Sequence, residues 1–296
     1  MNIRRIAALV WGLIVIVASN TIVMMPTASA DSSAQSDVKF TSQQQQIVAQ
    51  LKTANVVYLG ETHDRPIDRQ HQLSIIQALF EHNPQVAIGM EMFQRPAQPL
   101  LDRYLAGKIT AAELRVQSEF DKSWGYKWED YAPILEFAKA NRLAVIALNT
   151  PTEITRKAAR QGLESLTAAE RQWIPPLTEI DRSNAKYQQM ILGSYRQHAG
   201  IVSISSKSFD RFYNAQLLWD ETMAERVANF VKQNPRYQKV VIAGSSHIIY
   251  GYGIPDRVLR RLGGSKFTQK TVLLSLDRDL RTSPQPADFI WEAENN

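Results

Sequence analysis

Two histidines and two glutamates are the residues of this sequence best suited to chemistry, because each follows a short apolar segment. Glu61 and His63 lie in GETH (60–63), Glu91 in GMEMF (89–93) and His247 in GSSH (244–247). Imidazole and carboxylate groups together suit a divalent transition metal, and they also suit general acid and base catalysis around a water molecule. Both histidines stand three residues after a glycine, which allows a sharp turn as the chain leaves a strand.

Two tyrosines close to the second histidine are candidate ligands for a haem iron. The chain contains no cysteine, so any metal or haem has to be held by histidine, tyrosine, methionine or carboxylate. Tyr250 follows His247 by three residues, and Tyr252 is close enough to compete with it. Aromatic residues also crowd the segment 124–131, which suits a wall or cover for a flat apolar ligand.

The elements that must position these side chains are short apolar segments alternating with helices. This pattern predicts an α/β fold with a mostly parallel central sheet flanked by helices. The predicted strands are 56–59, 86–90, 143–148, 239–243 and 270–276. A large all-helical insertion is expected at about 151–235, between the third and fourth strands. Since ligands bind at the carboxyl ends of such strands, we expect the two histidines and two glutamates to converge there.

Composition narrows the class of protein. The chain has 296 residues, of which 44% are hydrophobic and 21% charged, as is typical of a globular protein. The net charge of +5 is spread along the chain, so no nucleic-acid partner is expected. Without cysteine, the chain offers no thiol for a lipid anchor.

Residues 1–30 are predicted to be a secretory signal peptide. A basic start, an apolar core and an A-x-A site at Ala28–Ala30 indicate cleavage after Ala30. The mature protein is therefore expected in the periplasm or an equivalent extracytoplasmic compartment. The alternative is an uncleaved anchor from Ile6 to Met25, although two polar residues interrupt it.

Behind the signal peptide, three further regions are predicted. Residues 31–46 form a disordered polar leader, and residues 47–276 form a single α/β domain that contains the helical insertion. Residues 277–296 are polar and rich in proline, which indicates a flexible tail.

The motifs GETH (60–63) and GMEMF (89–93) and the stretch 244–255 together resemble those of ChaN-like haem-binding proteins. These belong to the haem-binding uptake, TIKI, TraB and erythromycin-esterase superfamily, and the resemblance extends over about residues 55–262. It implies a parallel α/β core with helical insertions. The superfamily's site residues correspond here to Glu61, His63, Glu91 and His247. In its enzymes this set serves metal-dependent proteolysis or ester hydrolysis, whereas the ChaN-like branch is associated with haem uptake.

Two functions follow. The first, which the resemblance favours, is an exported, non-enzymatic haem-binding protein involved in haem or iron uptake or handling, with haem near the carboxyl ends of the strands. The resemblance implies a tyrosine on the iron and a homodimer on haem binding. It assigns the cofactor-binding role to Tyr250, His247 and Tyr252. Arg257, Arg260 and Arg261, on the helix that follows Tyr252, are candidate partners for the haem propionates.

The second function is a metal-dependent peptidase or esterase. Its catalytic and metal-binding residues would be Glu61, His63, Glu91 and His247. A third alternative is a helper protein that retains these four residues as a relic. All three alternatives involve the same residues, so sequence alone leaves them open. ChaN-like proteins are commonly lipoproteins, and the lack of cysteine in this chain is a departure from that pattern.

Overall fold

The computed structural model of the chain describes residues 40–199, 206–263, 267–276 and 285–291. The predicted signal peptide, the alternative anchor and most of the predicted leader lie outside these residues. All described residues belong to one compact unit. Within them, no helix combines the length and apolar character needed to cross a membrane.

One six-stranded sheet organises this unit, and every pairing between its described strands is parallel. The strands are β1 (Val56–Glu61), β2 (Val86–Gln94), β3 (Ala144–Asn149), β4 (Gln238–Gly244), β5 (Gln269–Leu273) and β6 (Phe289–Ile290). Their order in the sheet is β3-β2-β4-β1-β5-β6. The predicted α/β class is therefore confirmed.

Helices cover both faces of the sheet. They are α1 (Ser42–Leu51), α2 (Pro66–His82), α3 (Gln98–Leu105), α4 (Ala111–Gln117), α5 (Phe120–Ser123), α6 (Trp128–Ala140), α7 (Thr152–Gln161), α8 (Ala168–Arg171), α9 (Ala185–Ala199), α10 (Ser206–Gln233) and α11 (Ile254–Leu262). Successive strand residues point to opposite faces, so β1 sends Val57 and Leu59 into one core and Val56 and Tyr58 into the other. Burial on both faces explains why the strands are continuous apolar runs.

The described parts of the connection between β3 and β4 consist of helices joined by loops. They contain α7 to α10 and short 3₁₀ turns, with no strand among the described residues of 151–235. The predicted all-helical insertion is therefore confirmed. It matters for function because α10 returns to the sheet and packs against β3, β4 and α11.

The predicted leader extends too far into the chain. Helix α1 begins at Ser42, because Thr41 and Gln44 form a reciprocal capping box at its start. The hydroxyl of Thr41 accepts from the Gln44 amide at 3.1 Å, and the Gln44 side chain accepts from the Thr41 amide at 3.0 Å. This motif satisfies two amides that would otherwise lack partners, so the prediction of disorder is wrong for residues 42–46.

The predicted flexible tail is also wrong for residues 285–291. Phe289 and Ile290 pair with β5 as the last strand of the sheet. Trp291 is only 1% exposed and its ring meets that of Phe40 edge-on. A two-residue strand is too short to give an alternating pattern in the sequence, which explains the error.

Candidate functional site

The carboxyl edge of the sheet brings the two glycine–histidine motifs side by side. Strand β4 lies between β1 and β2, and Glu61, the last residue of β1, is in register with Gly244, the last residue of β4. Immediately after β4, a 3₁₀ turn places His247 beside Glu91 of β2. His63, Glu91 and His247 line one cavity of about 330 Å³. The expected convergence is what the structure shows, in the form of two glutamate–histidine pairs.

The first pair is Glu61 with His63. The Glu61 carboxylate lies 2.9 Å from Nδ1 of His63, and the Tyr131 hydroxyl on α6 donates to it at 2.6 Å. Its other oxygen accepts from the Gln72 amide on α2 at 2.8 Å. Burial, followed by the charge of Glu61, raises the pKa of Tyr131 far above its usual range. The phenol therefore stays protonated and acts as a donor that fixes Glu61.

Arg69 on α2 holds the main chain of the first motif. Its guanidinium donates to the carbonyl of Thr62 at 3.0 Å and to that of His63 at 2.7 Å. It also lies 3.6 Å from the carboxylates of Glu61 and Asp130, and its side chain is 2% exposed. Buried charged groups need such partners, and here they fix the turn that carries His63.

The second pair is Glu91 with His247, and it is extended by a residue from the helical insertion. Asp220 on α10 lies 2.5 Å from Nδ1 of His247, whose Nε2 lies 3.4 Å from Glu91. Tyr187 on α9 donates to the other oxygen of Asp220 at 2.5 Å. The Glu91 carboxylate also accepts from the Gly244 amide at 2.7 Å. A continuous buried chain of polar contacts therefore joins β2 to α9.

The electrostatics of this chain favour a charged pair. Burial on its own would raise the pKa of Glu91, but the positive charge of His247, a hydrogen bond from it and the nearby His63 outweigh burial and lower the pKa to about 2. Burial on its own would lower the pKa of His247, yet Glu91 and Asp220 raise it well above its usual value. The imidazolium of His247 is accordingly stabilised between two carboxylates.

We predict a loss of stability in acid from Glu91. Because folding lowers its pKa from the ordinary 4.5 to about 2, its contribution is complete above pH 4.5 and is lost as the pH falls toward 2. Urea unfolding across that range should show the free energy of unfolding decreasing more steeply for the wild-type protein than for Glu91→Gln. Equal slopes for the two proteins would show that Glu91 does not titrate as described.

An aromatic wall closes one side of the cavity. The His63 ring lies 4.7 Å from Trp124 and 5.0 Å from Tyr126, centroid to centroid. Trp219 of α10 also lines the cavity, and its ring meets that of His247 edge-on at 6.1 Å. Of the predicted aromatic cover, Trp124 lines the cavity and Tyr126 is 38% exposed. The remaining two members of the segment 124–131 are buried in the core below.

A four-ligand metal site does not form from these residues. Across the described parts of the chain, no group of three or more His, Asp or Glu side chains is arranged to hold a metal ion. The physical reason is that Glu61 already contacts His63, Tyr131 and Gln72. Glu91 is likewise engaged by the Gly244 amide and His247. The residues present therefore do not fit the predicted metal centre.

The three residues predicted to bind the cofactor lie in different surroundings. His247 is 6% exposed and both its ring nitrogens face carboxylates, so it is poorly placed to ligate iron. Tyr250 and Tyr252 are half-buried outside the cavity lining, with their rings 5.3 Å apart. Tyr250 has a left-handed backbone, with φ of 57°, and its amide donates to the carbonyl of Pro286 at 2.7 Å.

The arginines named as propionate partners have another role. Arg257 on α11 is 2% exposed and lies 3.4 Å from Glu221. Arg260 and Arg261 also contact Glu221, each at 2.6 Å. Three cations around one buried carboxylate join α11 to α10. Arg257 is therefore poorly placed to reach a haem propionate.

Comparison with known proteins finds one matching protein family and several similar folds. The sequence pattern of one protein family matches residues 47–258. This family is described as "Haem-binding uptake, Tiki superfamily, ChaN". ChaN of Campylobacter jejuni, described as binding heme cofacially, superposes with a TM-score of 0.63 at 20% identity. That match covers 78% of this chain and 86% of that one. An erythromycin esterase, EreC, superposes with a TM-score of 0.48 at 16% identity, covering 80% of this chain and 74% of the esterase.

A plant protein is similar in sequence. Protein RETICULATA-RELATED 5, chloroplastic, of Arabidopsis thaliana is 26% identical over 264 residues, which is 81% of this chain. The chain spans 34% of the length of that relative. The likeness therefore concerns one part of a longer protein.

Proposed function

The chain belongs to the haem-binding uptake family of the Tiki superfamily (ChaN), and from this we propose that it is an exported protein that binds haem in haem or iron uptake or handling. Family membership supports haem binding in general.

We propose Tyr250 as the iron ligand, and its backbone is the observation that carries this assignment. A left-handed φ is costly for a bulky residue and persists only where the surroundings enforce it, which is common at functional sites. Tyr250 lies at the carboxyl edge, three residues after His247, and is half-buried beside the ring of Tyr252. A phenol oxygen beside an aromatic surface fits haem, since tyrosine is a known haem ligand.

The residues of this chain would contribute binding and orientation. Tyr250 would supply the oxygen to iron, and the ring of Tyr252 would offer apolar surface to the macrocycle. Haem, when bound, supplies the iron centre and its redox and ligand chemistry.

We predict that Tyr250→Phe weakens haemin binding at least about tenfold, a loss of about 1.4 kcal/mol, because phenylalanine keeps the ring and removes the ligand oxygen. Absorbance titration of the purified chain measures both the affinity and the tyrosinate charge-transfer band, which the variant should lack. Tyr252→Phe is the matched control, since it removes a phenol oxygen from the neighbouring ring. Unchanged affinity and spectrum in Tyr250→Phe, or their loss in Tyr252→Phe alone, would contradict the assignment.

Export and self-association complete the proposal. A signal peptide cleaved after Ala30 would leave a mature chain beginning at Asp31, and mass spectrometry of protein from the extracytoplasmic fraction tests this directly. Dimerisation on haem binding is tested by sizing the protein before and after haemin addition. A full-length mass or an unchanged elution volume would contradict the respective statement.

A second candidate is hydrolysis, and a specific observation favours it. The 330 Å³ cavity is lined by His63, Glu91 and His247. Glu61, 2.9 Å from Nδ1 of His63, orients His63 in the way that a carboxylate orients a catalytic base. A screen with ester and peptide substrates tests this candidate. Turnover that is lost in His63→Ala and retained in Tyr250→Phe would favour hydrolysis over haem binding.

A further inference from the structure

The described end of the chain forms a short strap along the edge of the sheet, where it contains the outermost strand and lies next to Tyr250. This strap, residues 285–291, contains β6 and ends at the buried Trp291. It was expected to be part of a flexible tail, and none of the predicted site residues lies in it. Its contacts nevertheless lead to the proposed iron ligand.

The strap is fixed to β5 by side-chain and main-chain contacts. The carboxylate of Asp288 accepts from the Thr271 amide at 2.8 Å and from its hydroxyl at 2.9 Å, and the same hydroxyl accepts from the Asp288 amide at 2.9 Å. The Trp291 amide donates to the carbonyl of Leu273 at 2.8 Å. Burial of the Trp291 ring, 1% exposed, adds a large apolar contribution.

From this fixed position, the strap contacts the main chain of Tyr250. The carbonyl of Pro286 accepts the Tyr250 amide at 2.7 Å, and Pro286 itself is buried. Ala287 and Ile290 pack in the same hydrophobic cluster as the Tyr250 ring. The strap thus holds the Tyr250 main chain, and both pack against one hydrophobic cluster.

We infer that the strap positions Tyr250 for ligand binding by stabilising its left-handed backbone. This inference rests on the proposed haem function. Left-handed φ is unfavourable for an L-residue with a large side chain, so Tyr250 needs an external contact to remain there. A backbone carbonyl at 2.7 Å from its amide, carried by a segment anchored two residues later at Asp288, supplies that contact.

The direct test is Asp288→Ala in the full chain, with Asn55→Ala as the matched control. Asn55 makes the same kind of clamp, because its side-chain oxygen accepts from the Thr268 amide at 2.9 Å and from the Thr268 hydroxyl at 3.0 Å. Thr268 lies at the opposite end of β5 from the strap. The control therefore removes a similar clamp beside the same strand, β5, at the end away from Tyr250.

We expect Asp288→Ala to speed hydrogen exchange of the Tyr250 amide in the haem-free protein and Asn55→Ala to leave that amide unchanged. In haemin titrations, Asp288→Ala should weaken binding about tenfold and alter the tyrosinate band, while the control binds as the wild type. Trp291→Ala, which loosens the other end of the strap, should act in the same direction as Asp288→Ala.

The outcomes separate this inference from the proposed function. If Tyr250→Phe loses haemin but Asp288→Ala and Trp291→Ala retain wild-type affinity, spectrum and exchange, the positioning role of the strap is overturned and the ligand assignment stands. If Tyr250→Phe binds as the wild type, the ligand assignment fails. Faster exchange in Asp288→Ala would then still show that the strap holds the Tyr250 backbone, but its role in haem binding is overturned.

Discussion

Asp220→Ala is expected to lower the free energy of unfolding by about 3–5 kcal/mol, because it removes one partner of a buried charged pair. Asp220 and Glu91 enclose His247, and both carboxylate side chains are at most 7% exposed. Without Asp220, Nδ1 of the imidazole and the Tyr187 hydroxyl lose the acceptors that they now contact at 2.5 Å. Urea unfolding at neutral pH measures the loss.

The control for this variant is a carboxylate on the surface. Glu119 contacts Lys122 at 3.2 Å, but these side chains are 65% and 78% exposed. Exposed ion pairs contribute little, so Glu119→Ala should change stability by less than about 1 kcal/mol. Similar losses in the two variants would contradict a large contribution of the Asp220–His247 contact to the free energy of unfolding. A refolded Asp220→Asn that regains most of the stability would support hydrogen bonding as the main contribution.

Gly253→Ala is expected to be comparably damaging, by about 3 kcal/mol or more, for a steric reason. An added Cβ would lie 2.2 Å from the carbonyl oxygen of His247 and 3.0 Å from the Asp220 carboxylate. Main-chain atoms cannot move aside as a flexible side chain can, so the 3₁₀ turn carrying His247 would have to shift. Overpacking of this kind reaches the upper end of the usual 1–3 kcal/mol.

Gly193→Ala provides the opposite expectation. Gly193 lies within α9, where an added Cβ meets nothing within 4 Å. Alanine is favoured over glycine inside a helix by about 0.5–1 kcal/mol, so this variant should be slightly stabilised. If Gly253→Ala proves as stable as the wild type in urea unfolding, the close packing of residue 253 against the His247 carbonyl is refuted.

The part of the site that could be predicted from the sequence is the part carried by strand ends. Apolar runs of strand length followed by glycine are local patterns, and parallel strands place their ends at one edge. Glu61, His63, Glu91 and His247 could therefore be assigned to one region. Their division into the pairs Glu61–His63 and Glu91–His247 could not be predicted, because it depends on which side chains contact each carboxylate.

The supporting residues could not be predicted because their partners are distant in the sequence. Asp220 is one acidic residue in the middle of an amphipathic helix and meets His247 27 positions later. Tyr131 meets Glu61 across 70 positions and reads as an ordinary core aromatic. Only the packing of α10 and α6 onto the sheet creates these contacts.

The order of residues 285–291 had a sequence signal that could have been used. Trp291 stands beside two apolar residues, Phe289 and Ile290, in an otherwise polar tail.

Titration of the full wild-type chain with haemin, followed by absorbance, tests the central claim most directly. We expect saturable binding with a defined stoichiometric end point, a shifted Soret band and a tyrosinate charge-transfer band. A spectrum that equals the sum of the protein and free haemin spectra at every concentration, with no saturation, would contradict haem binding by this chain. It would leave the cavity lined by His63 and His247 as the functional site.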